Sequence, residues 1–234
     1  MSVTLRHRFE EELNELQADV LSMGGHVLEM LDLSVQALME QDVRLAERVV
    51  DMDDVADEMD LAIEQKCLRL IALQHPLSKD LRVISSALKI ITDLERIGDF
   101  SVDIAKTARR MANELYLRPM VPIPQMARSV KGLVHEVLRA YVDQDLKRVH
   151  HAIRMDDIVD EEYDRIFTQL MRAVERDPTL ARQAIWFTHV VHFLERVADH
   201  AVNVAERVSY MITGEFTDFA HSHAVGDRQP PSAA

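Results

Sequence analysis

The sequence predicts an all-α protein built as two tandem antiparallel three-helix bundles, spectrin-like in packing and related by internal duplication. Three observations carry this. The 234 residues include only 6 Gly, 7 Pro and 5% aromatic residues, with 12 Met, a composition that suits long helices far better than sheets. Apolar residues recur at three-four spacing through long stretches, and no strand-like alternation competes. Finally, "ALMEQDVRLAERVVDMDD" (Ala37–Asp54) aligns without gaps to "AYVDQDLKRVHHAIRMDD" (Ala140–Asp157) at an offset of 103 residues, and paired "LER" segments return at an offset of 100. One unit has been copied once, which is not the signature of a longer repeat array.

The first unit reads as helices at residues 5–40, 43–74 and 77–113. "HPLS" (His75–Ser78) parts the second from the third, because proline ends helices. "LRPMVPIP" (Leu117–Pro124) is the strongest break in the chain and predicts the join between units. Helices at 126–143, 146–176 and 179–213 follow, with "RDP" (Arg176–Pro178) repeating the earlier break. The expected domains are residues 1–116 and 126–216, with a linker at 117–125 and a tail at 217–234 of disordered composition. Helices of about 30 residues span roughly 45 Å, and short connections between them imply antiparallel packing. Gly24-Gly25, inside the first helix, predicts a close packing contact or a kink.

Charge and cysteine usage exclude several classes. The formal net charge of −13 disfavours nucleic acid, whose binding needs a basic face, and favours cations or basic protein surfaces. The single Cys67 lies in a helical pattern, so there is no disulfide framework and no thiolate zinc site. The opening "MSVTLRHRFEEELNELQ" lacks the apolar stretch of a signal peptide. No window approaches the roughly 18 apolar residues of a membrane span. A cytoplasmic protein is expected.

The core seam of the third helix reads Leu81, Ile84, Leu88, Ile91, Glu95, Gly98, Val102, Ala105. Its counterpart reads Ala181, Ala184, Thr188, Val191, Glu195, Ala198, Val202, Ala205. The same acid interrupts the same apolar line, and the small residue that follows predicts room beside each Glu. Asp99 and Asp199 come one turn on, then Asp103 and Asn203. The second helix supplies a partner row: Asp53 and Asp57 flank the seam Leu45, Val49, Met52, Ala56, Met59, Ile63, with Asp60 and Glu64 beyond. Asp156 and Asp160 repeat this pair, with Asp164 beyond. Each bundle can therefore bring an ExxxD row and a DxxxD row together.

Two carboxylates about 4 Å apart repel by roughly 4 kcal/mol at an effective dielectric near 20, against a domain stability of about 5–15 kcal/mol. Converging acids must be protonated, paired with Arg or Lys, splayed into water or neutralised by cations. Arg96 and Arg196 adjoin the Glu residues, but sequence neighbours point in different directions on a helix. Oxygen-only clusters suit hard divalent or trivalent cations. A lone ExxxD commonly marks a solvated face. Four such pairs at matched repeat positions favour a cation site, with Glu95 and Asp99 as one half and Asp53 and Asp57 as the other. Thr92 corresponds to His192 and Phe100 to His200. His192 shares a face with Glu195, and a histidine ligand would tilt the second site towards iron, zinc or manganese rather than magnesium. A merely surface or supporting histidine is the simpler alternative for each.

"SMGGHV" (Ser22–Val27), "ALMEQD" before the acidic helix, "VDEEY" (Val159–Tyr163) and the paired "DLERIGD" and "FLERVAD" resemble the PhoU family of phosphate-uptake regulators, over about residues 5–214. The resemblance implies a cytoplasmic, all-helical negative regulator of the phosphate-starvation response. It implies a sensor histidine kinase and the ATPase of a phosphate ABC transporter as partners, with membrane association only through them, and a homodimer. It also implies multinuclear metal sites, whose ligands by position are Asp53, Asp57, Glu95, Asp99 and Asp103, then Asp156, Asp160, Glu195, Asp199 and Asn203. Asn203 stands where the first unit has an acid. The family implies no enzyme, and the chain has no GxxxxGK loop.

Three other functions compete. A di-metal carboxylate enzyme would ordinarily add Glu-x-x-His pairs, and the sequence contains none. A purely structural interaction module would use the acids as solvated surface. An accessory of a different phosphate transporter would share every feature above.

Overall fold

The computed structural model describes residues 3–74, 76–112, 121–217 and 219. Six α-helices run through them: α1 (Val3–Glu40), α2 (Val43–Gln74), α3 (Ser78–Met111), α4 (Ile123–Asp143), α5 (Leu146–Arg176) and α6 (Ala181–Thr213). Residues 117–120 of the expected linker and nearly all of the expected tail lie outside the described residues.

The helix ends follow local chemistry. Gln41 and Gln144, repeat equivalents, both adopt the left-handed conformation, with φ of 57° and 49°. Each passes the chain to an aspartate that caps the next helix. The Asp42 carboxylate accepts from the Arg44 and Leu45 amides at 2.9 and 3.1 Å, and Asp145 accepts from the Lys147 amide at 2.8 Å. These bonds satisfy amides that a first helical turn leaves without partners.

Two boundaries differ from expectation. α4 begins at Ile123 rather than near residue 126, with Pro122 as its N-cap and Pro124 in its first turn. Proline is tolerated there because the missing N–H has no helical partner to lose. Residues 123–125, expected in the linker, therefore belong to the second bundle. α6 begins at Ala181 rather than Thr179, because Pro178–Leu180 form a 3-10 turn. Asp177 holds that turn, accepting from the Thr179 amide and hydroxyl at 3.0 and 2.6 Å.

α1, α2 and α3 pack on one another, as do α4, α5 and α6, while α3 packs on α6 and α1 on α4. The front of the molecule is thus a row of four helices, α2–α3–α6–α5, with α1 and α4 behind. The two bundles share one continuous apolar core. Gly24 is a close contact between them: a Cβ there would stand 2.6 Å from Leu138 Cδ1 of α4, whereas Gly25 faces open space.

α3 and α6 run antiparallel. Arg82 Nε donates to the Met211 carbonyl at 3.4 Å, Ser86 Oγ to the Arg207 carbonyl at 3.2 Å, and His200 Nδ1 meets Asp93 Oδ1 at 2.9 Å. Shifted by the internal offset, the Asp93–His200 pair becomes Phe193–Phe100, and those rings stack with centroids 6.1 Å apart. An approximate twofold axis therefore stands perpendicular to α3 and α6, near Ile97 and Val197. Rotation about it keeps both acidic rows on the same front face.

Candidate functional site

The two acidic rows sit in the front grooves, one between α2 and α3 and one between α5 and α6. Glu95 and Glu195 interrupt their apolar seams as expected, yet reach solvent, with side chains 28% and 26% exposed. Gly98 does not open space beside Glu95. It is buried against α1, where an added Cβ would meet Val27 and Met30 at 3.6 and 3.7 Å. The small residue therefore serves helix packing behind the site.

In the first groove, burial and then repulsion from Asp57 and Asp99 raise the Asp53 carboxyl above the usual range, with Lys106 pulling the other way. Glu95 is raised by burial, then by Asp99, Asp57 and Asp60, against a lowering from Arg96. Carboxylates on two helices therefore feel one another across the groove. The second groove is stronger. Burial, then Asp160, Asp199, Asp157 and Glu195, pushes Asp156 up to about 7. Burial, then Asp199 and Asp160, pushes Glu195 up to about 7 against Arg196. Glu195 Oε2 is buried with no hydrogen-bond partner; His192 Nδ1 is 3.3 Å away without forming one.

Arginine neutralises part of each row. Arg96 Nη1 donates to Asp99 Oδ2 at 3.0 Å and Arg196 Nη1 to Asp199 Oδ2 at 2.8 Å. The side chains reach one turn forward, the i to i+3 relation, and Arg96 differs from expectation in also bringing its Nε to 3.5 Å from Glu95 Oε2, its sequence neighbour. Both pairs are substantially exposed, where such contacts contribute little. As they stand, no three His, Cys, Asp or Glu side chains among the described residues are grouped to hold a metal ion.

Three residues singled out from the sequence point elsewhere. Asp103 lies 3.9 Å from Lys106. His200 and Asn203 both meet Asp93 Oδ1, at 2.9 and 3.1 Å, across the α3–α6 junction. Two neighbours of the site went unassigned. Asp60 faces Glu95, and its own carboxyl is raised by burial, then Glu64 and Asp57. Tyr163, the repeat equivalent of Asp60, has its phenol raised by burial and then by Glu195. Their signal was the three-residue step from Asp57 and Asp160, which keeps them on the same helix face.

The chemistry of these grooves is that of incompletely neutralised oxygen donors. Asp53, Asp57, Asp60, Glu95 and Asp99 offer carboxylates alone, while Asp156, Asp160, Glu195 and Asp199 are joined by His192 and the Tyr163 phenol. The partnerless Glu195 oxygen and the elevated Asp156 and Glu195 are what a donor set without its counter-charge shows; the donor types suit a hard cation, although the side chains as they stand are not drawn together around one.

The chain resembles known proteins over most of its length. A family model described as the PhoU domain matches residues 20–108 and again 123–208. The chain is 38% identical over 214 residues to the phosphate-specific transport system accessory protein PhoU homolog of Clostridium acetobutylicum, covering 91% of this chain and 98% of that one. Its fold is similar to the crystal structure of PhoU from Pseudomonas aeruginosa, with a TM-score of 0.83, 32% identity and coverage of 88% and 100%. It is equally similar to the phosphate transport system regulatory protein PhoU from Streptococcus pneumoniae, with a TM-score of 0.83, 28% identity and coverage of 90% and 99%.

Proposed function

The chain belongs to the PhoU family, and from that premise we propose that it is a negative regulator of phosphate uptake and of the phosphate-starvation response, acting as a metal-binding cytoplasmic adaptor between a phosphate ABC transporter and a sensor histidine kinase. The family is one of regulatory accessory proteins of phosphate transport, not of enzymes. No helix among the described residues is long and apolar enough to cross a membrane, so contact with a transporter would run through protein surfaces.

The observation that carries the metal part is the pair of repelling carboxylate grooves on one face. Asp53, Asp57, Glu95 and Asp99 would hold one site and Asp156, Asp160, Glu195 and Asp199 the other. Asp60, and His192 with Tyr163, are the added candidates. Bound divalent or trivalent ions would neutralise the acids and tie α2 to α3 and α5 to α6. The donor sets suit iron, zinc or manganese in the second groove, where an imidazole is at hand.

Capture from phosphate-replete cells tests the adaptor role. Tagged wild type should retain a transporter ATPase and a histidine kinase, and Glu95→Ala/Asp99→Ala should lose them. Elemental measurement on the same preparations, purified without chelator, should give at least about one metal per chain for wild type and less for the variant. Equal capture by both proteins would detach the grooves from partner binding. Metal-free wild type that captures normally would sink the metal part alone.

A further inference from the structure

Beyond its first acidic row, α3 changes sign. Lys106, Arg109 and Arg110 stand on one exposed face at three and four residue spacing and line a shallow pocket. In a chain of net charge −13, Lys106 has Asp103 beside it and acts on Asp53, whereas the two arginines are left to one another. Asp103 is 3.9 Å from Lys106, with the two side chains 44% and 50% exposed, a contact worth little. No carboxylate pairs with either arginine among the described residues. The Arg110 guanidinium lies over the Trp186 ring of α6, 5.4 Å from its centroid. Stacking fixes the plane of the fork while leaving its N–H groups free to donate.

Cations favour the last turn of a helix, and that accounts for part of the cluster. It does not account for the contrast with the second repeat, where Glu206, Ser209 and Tyr210 occupy the equivalent places. α6 has no basic residue in its last turn at all, and Glu206 there accepts from the Phe219 amide at 2.7 Å. The basic cluster is therefore a property of one unit and not of the bundle design.

We propose that Lys106, Arg109 and Arg110 form a binding site for a phosphate-class oxyanion at the α3–α6 end of the front face. A tetrahedral dianion can accept from a guanidinium fork and an ammonium together. Binding would also relieve the mutual repulsion of three cations. Lys106 is close enough to act on Asp53, which places this site beside the first acidic groove. The inference adds a ligand to the regulatory role proposed above and rests on the three cations and on the Arg110–Trp186 contact.

Equilibrium dialysis of the full chain, freed of metal beforehand, against labelled inorganic phosphate and pyrophosphate tests it. Wild type should bind saturably, and Lys106→Ala/Arg109→Ala/Arg110→Ala should bind about tenfold more weakly or worse, as expected when charge-assisted bonds are removed. Arg207→Ala, a cation elsewhere on the junction, should bind like wild type, and circular dichroism should show the triple variant folded. Sedimentation with phosphatidylcholine vesicles, with and without phosphatidylglycerol, separates the sources. Loss of anionic-vesicle binding in the triple variant, with weak free-phosphate binding throughout, assigns the site to a lipid phosphate. Equal binding by wild type and triple variant, or no wild-type binding to any of these probes, overturns the proposal. Failure to capture a kinase or transporter while phosphate binding persists would count against the adaptor role only.

Discussion

His200 and Asp93 meet at 2.9 Å across α3 and α6, at a junction whose symmetry-related place holds the stacked rings of Phe100 and Phe193. Asn203 donates to the same Asp93 oxygen at 3.1 Å. One polar and one aromatic cluster thus close the same interface on either side of the internal axis. The side chains of His200 and Asp93 are only 14% and 15% exposed, so removing one partner strands the others. Asp93→Ala should lower unfolding free energy by about 1–3 kcal/mol. A double-mutant cycle with His200→Ala, read by urea denaturation, should show a coupling of about 1 kcal/mol. Strictly additive losses would show that the contact contributes nothing.

The second acidic groove should make the metal-free protein less stable as pH rises. Asp156 is at about 7 in the folded chain against 3.8 ordinarily, and Glu195 at about 7 against 4.5. Folded protein therefore holds these protons more tightly than unfolded protein does. Their stabilising effect is complete below about pH 4 and is lost as pH climbs through 7. The groups facing them are Asp157 and Asp160 from α5 and Asp199 from α6, with Arg196 opposing. Asp156→Asn should flatten the fall between pH 5 and 8 by on the order of 2 kcal/mol, allowing for solvent screening. Parallel melting curves for wild type and variant across that range would contradict it.

Adjacent glycines in α1 should respond oppositely to alanine. Gly25 faces open space, so Gly25→Ala should stabilise by about 0.5–1 kcal/mol through helix propensity. Gly24→Ala would put a methyl 2.6 Å from Leu138 Cδ1 and should destabilise by about 1–3 kcal/mol through overpacking. Thermal denaturation of the two single variants reads the difference directly.

Gln144 carries left-handed strain that glycine would remove, at φ 49°. Gln144→Gly should raise the melting temperature by about 2–4 °C, corresponding to about 1 kcal/mol. Gln41→Gly should gain less, because the Gln41 amide donates to the Met111 and Ala112 carbonyls at 3.2 and 3.4 Å. A larger gain at position 41 than at 144 would mean those bonds are idle.

The helices were legible because their apolar period and few breaks leave little choice. α2 and α5 keep the bounds read from "EQDV", "HPLS", "DQDL" and "RDP". α4 extends three residues ahead of its expected start because Pro122 and Pro124, which in sequence signal a break, sit at a helix start. Gly98 packs on α1 rather than opening room beside Glu95, because a seam position says that a residue faces the core without saying which helix fills it. The rows themselves were legible at Glu95, Asp99, Glu195 and Asp199 and drifted at Asp103 and Asn203. A helix advances about 40° beyond a full turn every four residues, so the third member of such a row lies about 80° round from the first. That rotation carries Asn203 onto Asp93 of α3. Asp60 continues the row in the sequence, whereas Tyr163, its uncharged repeat equivalent, gives no acidic signal although the same three-residue step places it on that face.

A chain carrying its own approximate twofold axis offers an approaching protein two berths, half a turn apart. To the extent that the halves match, a partner with a single contact surface can land either way up, and the complex has no defined polarity. Here the halves do not match. Asp60 opposes Tyr163 in the grooves, Thr92 opposes His192, and Arg109 and Arg110 stand where Ser209 and Tyr210 would map. These departures are the molecule's orientation marks, and a partner that docks in a single orientation would need to read them.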